Sequence, residues 1–375
     1  MRALAGDATI AAMRIALALV LVSATSHADV IVGGAVGAGG QGTAAYSALE
    51  LRFDGASEHT RFGLGGRAVW LDGDFRAEDW DGWRAVRVLR LFEASKSGDT
   101  QLAIAAGGLA PAQLGHVADG YRATLDDRPR TGVRGSALTK TVALGLEIDD
   151  VVEPHLIGGA LEVGVGEQWI GCASAAIDPG DDMERAIGAV EVCGARRWAR
   201  EGARLDAGGG LVGERLSDGR GLSALGFVRG AFDARGARWT GEAEVRAGGG
   251  SVGGLFGPLH RLEEHADDRG VGAAISFGVS GARGWTRAFA RYRAAGPIAG
   301  VTVGAPAGKW FQIAGWIAAS DRDRAGATEL RVTWAKRLTS VLELARMHDV
   351  DAMQPAPVWS AMAWFAIQQE VGRHQ

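Results

Sequence analysis

The stretch Arg238–Ala247 reads R-W-T-G-E-A-E-V-R-A and alternates polar residues with apolar or small ones. The polar members are Arg238, Thr240, Glu242, Glu244 and Arg246. Because side chains of a strand point alternately to its two faces, this pattern predicts a strand with one wet and one apolar face. The stretch is long enough to cross a bilayer at a tilt, which takes about 9–11 residues. The fold therefore depends on whether the apolar face meets lipid or a protein core.

The same period of two recurs along the chain, with turn residues between the runs. It is clearest at residues 49–54, 61–70, 141–148, 271–280, 329–334 and 359–368. At roughly 20 residues per strand and connection, the pattern predicts an all-β, antiparallel transmembrane β-barrel of about 16 strands, within a range of 14–18. Longer connections near 109–130 and 248–270 are too polar for membrane depth unless they fold into a lumen.

Residues 1–28 have the features of a signal peptide. Met13-Arg14 precedes a short apolar core at 15–22, and Ser26-His27-Ala28 offers small residues where a signal peptidase cuts. We expect cleavage after Ala28 and a mature barrel over 29–375. Since no later segment reaches the roughly 18 uninterrupted apolar residues of a membrane helix, a membrane-embedded mature chain would have to span as a closed barrel.

The composition excludes several classes of protein. The chain has 375 residues, a formal net charge of −4 and 47% hydrophobic residues. This composition excludes an intrinsically disordered protein, and this charge excludes a typical nucleic-acid-binding protein. Its 58 glycines and 9 prolines suit closely packed strands and tight turns rather than linkers. Tryptophans lie near the ends of the alternating runs, at Trp70, Trp83, Trp239, Trp285, Trp334 and Trp359. One large β unit with interfacial aromatics fits these features.

The two cysteines, Cys172 and Cys193, flank a predicted hairpin whose turn signals lie at 178–182. Pairing them also places Ala175 opposite Val190 and leaves the turn near the midpoint. Because an exported chain meets an oxidising compartment, we expect a cross-strand disulfide. The alternative left open is two unbonded small residues in a core.

Two glycine-rich segments match motifs without the structural context that the motifs need. Residues 37–42 satisfy G-x-G-x-x-G, but a strand pattern rather than a helix follows, so we expect no dinucleotide site. Residues 249–253 satisfy G-x-S-x-G, where Ser251 would be the nucleophile of a hydrolase with His348 as a distant partner. In so glycine-rich a segment the match arises easily by chance, and this function is a minor alternative.

The spacing of histidines and acidic residues predicts no metal site. His260 and His265 are five residues apart, so on a helix they would point about 140° from each other. The Asp-rich pieces at 72–74, 79–81 and 178–182 lack the ligand spacing of a calcium loop, which leaves only weak calcium binding open. We therefore expect no metal and no cofactor.

Charged residues of both signs line one face of several runs, as they do in a water-filled lumen. The predicted lumen-lining residues are Arg238, Glu242, Glu244, Arg246, Arg287, Arg291, Arg293, Glu329 and Arg331. In a water-soluble sandwich the same residues would form the solvated face. The face opposite Phe277 carries almost only glycine, alanine and serine, which leaves room for water or an inserted loop.

Several loop and strand-start segments form recognisable motifs: Leu114-Gly115-His116 with Gly120-Tyr121, Arg128–Val133, Asp149–Pro154 with Gly158-Gly159, and Gly254–Leu259. In these segments the chain resembles a large uncharacterised family of porin-like bacterial outer-membrane barrels. The resemblance covers most of residues 30–370 and implies a fold and a location rather than a reaction. One departure is the C-terminus, since outer-membrane barrels usually end in an aromatic residue and this chain ends Val371-Gly372-Arg373-His374-Gln375.

Together these features predict a non-enzymatic porin-like channel or scaffold in the bacterial outer membrane. Its partners would be outer-membrane lipid, small hydrophilic solutes and the barrel assembly machinery, with no nucleic acid. The main alternative is a secreted or periplasmic all-β binding protein whose apolar faces form a core. A barrel-borne hydrolase using Ser251 is the third hypothesis.

Overall fold

A computed structural model of the chain describes residues 29–80, 82–109, 112–121, 130–179, 186–216, 219–248, 270–292, 296–306, 310–320, 324–335, 338–348 and 357–371. The predicted signal peptide, the segment around Ser251, His260 and His265, and the lumen candidate Arg293 lie outside the described residues. Those expectations therefore stay predictions. No described helix is long and apolar enough to cross a membrane.

The described chain is almost entirely strand. The first elements are β1 (Asp29–Gln41), β2 (Ala44–Ala56), β3 (Thr60–Leu71), β4 (Asp74–Phe75), two short 3₁₀ helices (Ala77–Asp79 and Gly82–Val88), β5 (Leu89–Lys96) and β6 (Gln101–Gly107). Next come β7 (Ala112–Leu114), β8 (Ala118–Tyr121), β9 (Gly132–Leu138), β10 (Val142–Ile148), β11 (Ile157–Val165), β12 (Trp169–Asp178) and β13 (Ile187–Arg200). The remaining strands are β14 (Ala203–Leu216), β15 (Gly219–Ala234), β16 (Ala237–Gly248), β17 (Gly270–Gly281), β18 (Gly284–Tyr292), β19 (Ile298–Pro306), β20 (Phe311–Ser320), β21 (Arg324–Ala335), β22 (Leu338–His348) and β23 (Pro357–Val371).

These strands form one closed antiparallel barrel. Each barrel strand pairs with the next along the chain, and β1 pairs with β2 on one side and with β23 on the other, from Val30↔Val371 to Gln41↔Ser360. The short strands β7 and β8 pair only with each other, as a separate hairpin. The closure confirms the predicted all-β antiparallel barrel, and a closed sheet leaves no unpaired edge.

The predicted strand number of about 16 is wrong. The main sheet has 21 strands, of which the two-residue β4 lies beside β3 only, so the described barrel has 20. Several strands have only 7 residues, such as β6, β9 and β10, and several turns have only two, as at 201–202 and 235–236. Strand and connection together therefore average about 17 residues rather than the roughly 20 assumed from spanning length.

The two faces of the barrel differ in chemistry. On β13, Val190 and Val192 point outward and are 58% and 62% exposed, whereas Glu191 between them points inward and is 1% exposed. The outward face of the other strands carries exposed large apolar residues in the same way, among them Leu51, Leu146, Leu211, Leu222, Val245, Val271, Ile275, Phe365 and Ile367. An exterior so apolar is untypical of a protein whose outside meets water.

Exposed aromatic residues lie at both ends of the barrel wall. At the end that holds the start of β1 and the end of β23, the outward aromatics are Phe53, Trp169, Trp198, Phe232, Phe311 and Trp334. At the opposite end Tyr292 and Trp359 point outward. Such girdles mark the two interfaces of a membrane barrel. Trp285 belongs to neither girdle, because it shares the lumen face with Arg287.

The ends of the barrel also differ in their connections. The end with both termini has short turns, at 57–59, 97–100, 139–141, 166–168, 201–202, 235–236 and 282–283. We call it the short-turn end. The opposite end holds the longer connections at 72–88, 108–131 and 149–156, and we call it the long-loop end.

Glycines in β1 explain why residues 37–42 match a nucleotide-binding motif by chance. A Cβ on Gly37 would lie 2.5 Å from the indole ring of Trp364, which packs across the strand on the lumen side. Gly42 has φ +61° in the turn that joins β1 to β2, a conformation that favours glycine. Close strand packing and a tight turn therefore account for the glycines, and β2 rather than a helix follows.

Candidate functional site

The lumen is partly filled by a hairpin from the connection between β6 and β9. This lumen hairpin consists of β7, the turn 115–117 and β8. Its residues Leu114, Val117 and Ala118 are at most 3% exposed. They pack on an apolar patch of the inner wall formed by Ala176, Ala189, Ala195, Val212, Leu225 and Phe227. The hairpin is therefore held by burial of apolar side chains in addition to polar contacts.

The disulfide lies beneath the same hairpin. Cys172 pairs with Cys193 in the register of β12 and β13, and Ala175 pairs with Val190, as the sequence predicts for these two wall strands. The two Sγ atoms are bonded in the structure. Both cysteines face the cluster that contains Leu114 and Val117, so the bond ties together the two strands that support the lumen hairpin.

His116, at the tip of the lumen hairpin, is locked to the wall by Glu191 of β13. The His116 backbone N–H donates to Oε2 of Glu191 at 2.9 Å, and Nδ1 lies 2.5 Å from Oε1. The hydroxyl of Ser174 donates to the same carboxylate at 2.7 Å. Gly115 makes this approach possible: it has φ +54°, and a Cβ there would lie 2.5 Å from Oγ of Ser174.

Strand β16 faces the tip of the hairpin from the other side. Arg246 is fully buried and donates to Glu244 on its own strand and to the backbone carbonyl of His116. Its Nη1 lies 3.5 Å from Oε1 of Glu214 on β14. Glu242, two residues before Glu244, lies 3.1 Å from Nε2 of His116. The polar face of Arg238–Ala247 thus contacts an inserted hairpin rather than water alone.

The loops at the long-loop end form a second charged group, the loop ion cluster of Arg84, Arg87, Arg130, Asp150 and Glu153. Nη2 of Arg87 lies 3.2 Å from both Asp150 and Glu153, and Arg130 bridges the same two carboxylates. Arg84 also contacts Glu153. Burial alone would raise the pKa of Glu153, but the three guanidinium groups outweigh it and lower that pKa to about 2.

A row of acidic and basic side chains lies on the inner face of the barrel wall, from β11 to β15. We call the group Glu162, Arg197, Arg204, Asp206 and Arg229 the wall ladder; it spans β11, β13, β14 and β15. Asp206 is fully buried and accepts from Arg197 at 2.9 Å, from Arg204 at 2.9 Å and from Arg229 at 3.1 Å. On the far wall a buried Glu50 accepts from Arg52 at 2.5 Å and from Arg67 at 3.3 Å. Both groups place fixed charges along the lumen.

A cavity of about 210 Å³ remains between the lumen hairpin and the wall. Its lining includes His116, Arg229, Glu242, Glu244, Arg287 and Arg291. Ala274 and Ser276 of β17 also line it. The small residues on the face opposite Phe277 therefore leave space beside the lumen hairpin. Glu329 and Arg331 lie on another part of the inner wall, where they pair at 2.9 Å and are partly exposed.

The predicted lumen residues therefore fall into three sets. Glu242, Glu244, Arg246, Arg287 and Arg291 surround the hairpin tip and the cavity, Glu329 and Arg331 line a separate wall, and Arg238 lies exposed near a short turn, 3.4 Å from Asp233. Sequence reasoning missed His116, Glu191 and the wall ladder. The alternation of Glu191 with Val190 and Val192 could have revealed Glu191, whereas no spacing links His116 to the wall.

The stabilisation that His116 gives to the lumen hairpin is expected to depend on pH. Burial would lower the pKa of His116, but its hydrogen bond to Glu191 and the carboxylate of Glu242 outweigh burial and raise that pKa to about 9, from an ordinary 6.5. A raised pKa stabilises the fold fully below about 6.5, and this contribution, on the order of 3 kcal/mol, is lost as the pH rises through about 9. Thermal unfolding of detergent-folded protein between pH 6 and 9.5 would measure it. Identical pH profiles for the wild type and His116→Gln would contradict the assignment.

No protein-family model and no curated protein matches this chain. Among solved structures it is similar to OccK2 (OpdF) of Pseudomonas aeruginosa in complex with glucuronate, with a TM-score of 0.39 and 9% identity over 92% of this chain and 97% of that chain. It is also similar to a BenF-like porin from Pseudomonas fluorescens Pf-5, with a TM-score of 0.37 and 9% identity over 92% and 98% of the two chains. Likeness at this level indicates nothing about a solute of this chain.

The architecture rests on the strand pairing of the chain itself. A closed antiparallel barrel with an apolar exterior, aromatic residues at both rims and a charged interior is the arrangement of a bacterial outer-membrane barrel. The predicted fold, an antiparallel β-barrel of the outer-membrane type, is confirmed.

Proposed function

We propose that this protein is an outer-membrane channel for small hydrophilic solutes, with its lumen narrowed by the inserted hairpin. The observation that carries the proposal is the opposite chemistry of the two barrel faces. Strand after strand presents apolar residues outward and charged residues inward, and the charges belong to a lumen that keeps an open cavity. A lumen lined by fixed charges favours small solutes that are themselves polar.

The orientation follows from the two ends. Barrels of bacterial outer membranes have short turns on the periplasmic side and longer loops on the outside. The short-turn end, with both termini, would then face the periplasm, and the loop ion cluster would face the exterior. A solute entering from outside would pass the loop ion cluster before it meets the hairpin tip and the wall ladder.

Charge reversal in the cavity tests whether the lumen conducts. We expect purified protein in a planar bilayer to give stepwise currents, and Arg287→Glu to shift the reversal potential in a salt gradient towards cation selectivity. The shift arises because Arg287 lines the cavity, where a fixed charge acts on a passing ion at short range.

Arg283→Glu is the matched control for this experiment. Arg283 lies in the two-residue turn at 282–283, on the same hairpin but outside the lumen, so its reversal should change selectivity much less. Absence of any current from correctly folded wild-type protein would rule out the channel and leave only a scaffold.

The other two hypotheses have weaker support. The described strands close into one barrel rather than two packed sheets, and this geometry disfavours a water-soluble binding protein. We propose that the protein performs no covalent chemistry. The hydrolase hypothesis depends on Ser251, outside the described residues, and loss of ester hydrolysis in Ser251→Ala would revive it.

For assembly we propose that the last strand is recognised through internal residues. Phe365 and Ile367 of β23 point outward and are 57% and 63% exposed. Both lie within a strand that closes the barrel against β1.

A further inference from the structure

Three side chains with metal-binding atoms converge where the lumen hairpin meets β16. The ring nitrogens of His116 and the carboxylates of Glu242 and Glu244 offer donor atoms that all lie within 4.8 Å of one another. Glu242 and Glu244 are two residues apart on one strand, so both point into the lumen from a rigid backbone. A second group, His116 with Glu191 and Cys193, offers no comparable site because Cys193 is consumed by the disulfide.

The histidine is held in the orientation that a metal ligand needs. Its Nδ1 lies 2.5 Å from Glu191, and this contact directs Nε2 towards β16. Histidines that bind metals almost always donate their other ring N–H to a carboxylate or a carbonyl, which fixes the tautomer and raises the basicity of the free nitrogen. Glu191 would supply that support, and it is itself held by Ser174 at 2.7 Å.

The Nε2 nitrogen of His116 is buried and faces Glu242, and a metal ion bound there would displace its proton. His116 is 5% exposed, and its Nε2 makes no hydrogen bond of acceptable geometry within the described part of the chain. Oε1 of Glu242 is nevertheless only 3.1 Å away. Two atoms bound to one zinc ion, at about 2.0–2.1 Å each, lie about 2.9–3.4 Å from each other. The observed separation, which is also that of an ordinary ion pair, is compatible with two ligands of one cation.

The local charge can accommodate a dication. Four carboxylates, from Glu191, Glu214, Glu242 and Glu244, lie around His116 and the buried guanidinium of Arg246. Arg229, Arg287 and Arg291 line the same cavity, where they would face an anionic fourth ligand or water. Glu244 can keep one oxygen on Arg246 and present the other to the ion.

We propose that the lumen binds one divalent transition-metal ion of the zinc type through Nε2 of His116 and the carboxylates of Glu242 and Glu244. The open coordination position faces the cavity. The ion would join the lumen hairpin to β16 and so fasten the hairpin. Metal binding at this site does not depend on whether the barrel conducts solutes, because the three ligands already lie together in the folded barrel.

Calorimetric titration of Zn²⁺ into detergent-folded, tag-free, chelator-treated protein tests the site. We expect about one zinc per chain with a dissociation constant in the micromolar range or tighter, weakened at least about tenfold in His116→Ala and in Glu242→Gln. His59→Ala removes an exposed histidine of a short turn and should leave binding unchanged. Co²⁺ in place of zinc should give visible absorption bands in the wild type that Glu242→Gln loses.

Two results would overturn the proposal: no zinc binding by the folded wild type, or binding by His116→Ala and Glu242→Gln as tight as that of the wild type. Heat-modifiable gel mobility shows which variants fold, and Glu242→Gln keeps the shape of the side chain if His116→Ala loosens the hairpin. The measurement needs no membrane current, so a failed channel and a failed metal site give different results.

Discussion

Replacing Val192 by arginine is expected to destabilise the lipid-embedded barrel by about 2–4 kcal/mol. Val192 lies near the middle of β13, points outward and is 62% exposed. Its cross-strand neighbour Leu211 is also outward and 56% exposed, so the new charge would have only apolar side chains and lipid around it. Equilibrium unfolding in phospholipid vesicles, followed by tryptophan fluorescence, measures the change.

Two variants serve as controls for the Val192 experiment. Val192→Leu keeps the position apolar and should leave stability within about 0.5 kcal/mol. Gln312→Glu adds a charge to the lumen face, opposite Arg331 in the β20–β21 register, and should be tolerated. If Val192→Arg unfolds at the same denaturant concentration as the wild type, the outward face does not meet lipid.

The second large effect is expected from Arg246→Ala, at about 3–5 kcal/mol. The substitution removes a fully buried guanidinium from between Glu214 and Glu244, and with it the donor to the carbonyl of His116. The cost comes mainly from carboxylates that face each other in a buried site without the cation. The lumen hairpin should also loosen, which limited proteolysis of the folded barrel would detect.

Arg238→Ala provides the matched control for Arg246→Ala. Arg238 lies on the same strand and the same face, but its side chain is 56% exposed and its contact with Asp233 is 3.4 Å long. Exposed pairs of this kind contribute about 0–1 kcal/mol. Equal losses in the two variants would contradict the burial assigned to the hairpin tip.

The barrel and its faces were predictable from the sequence because alternation is a local property. In β23, which covers the alternating run 359–368, Trp359, Phe365 and Ile367 are at least 57% exposed, whereas Met362 and Trp364 are 4% exposed. Cross-strand register was predictable where two cysteines fixed it. The strand number was not, since it depends on strands as short as β9 and on two-residue turns that no residue pattern marks clearly.

The candidate site was only half predictable. Glu242, Glu244 and Arg246 follow from the alternation of β16, but their partners come from elsewhere in the chain. His116 belongs to a connection 130 residues before Arg246, and only the tertiary fold brings the two together. The polar sequence of this connection predicts that it does not face lipid. No sequence pattern predicts which strands of the barrel wall it will contact.

The central claim, that the apolar exterior of a closed barrel lies in a bilayer, is tested most directly by fractionation with gel mobility. The account predicts that the protein stays with outer membranes through a high-salt wash, is released only by detergent, and migrates differently on gels before and after boiling. Release by salt without detergent, together with a mobility that boiling leaves unchanged, would contradict it.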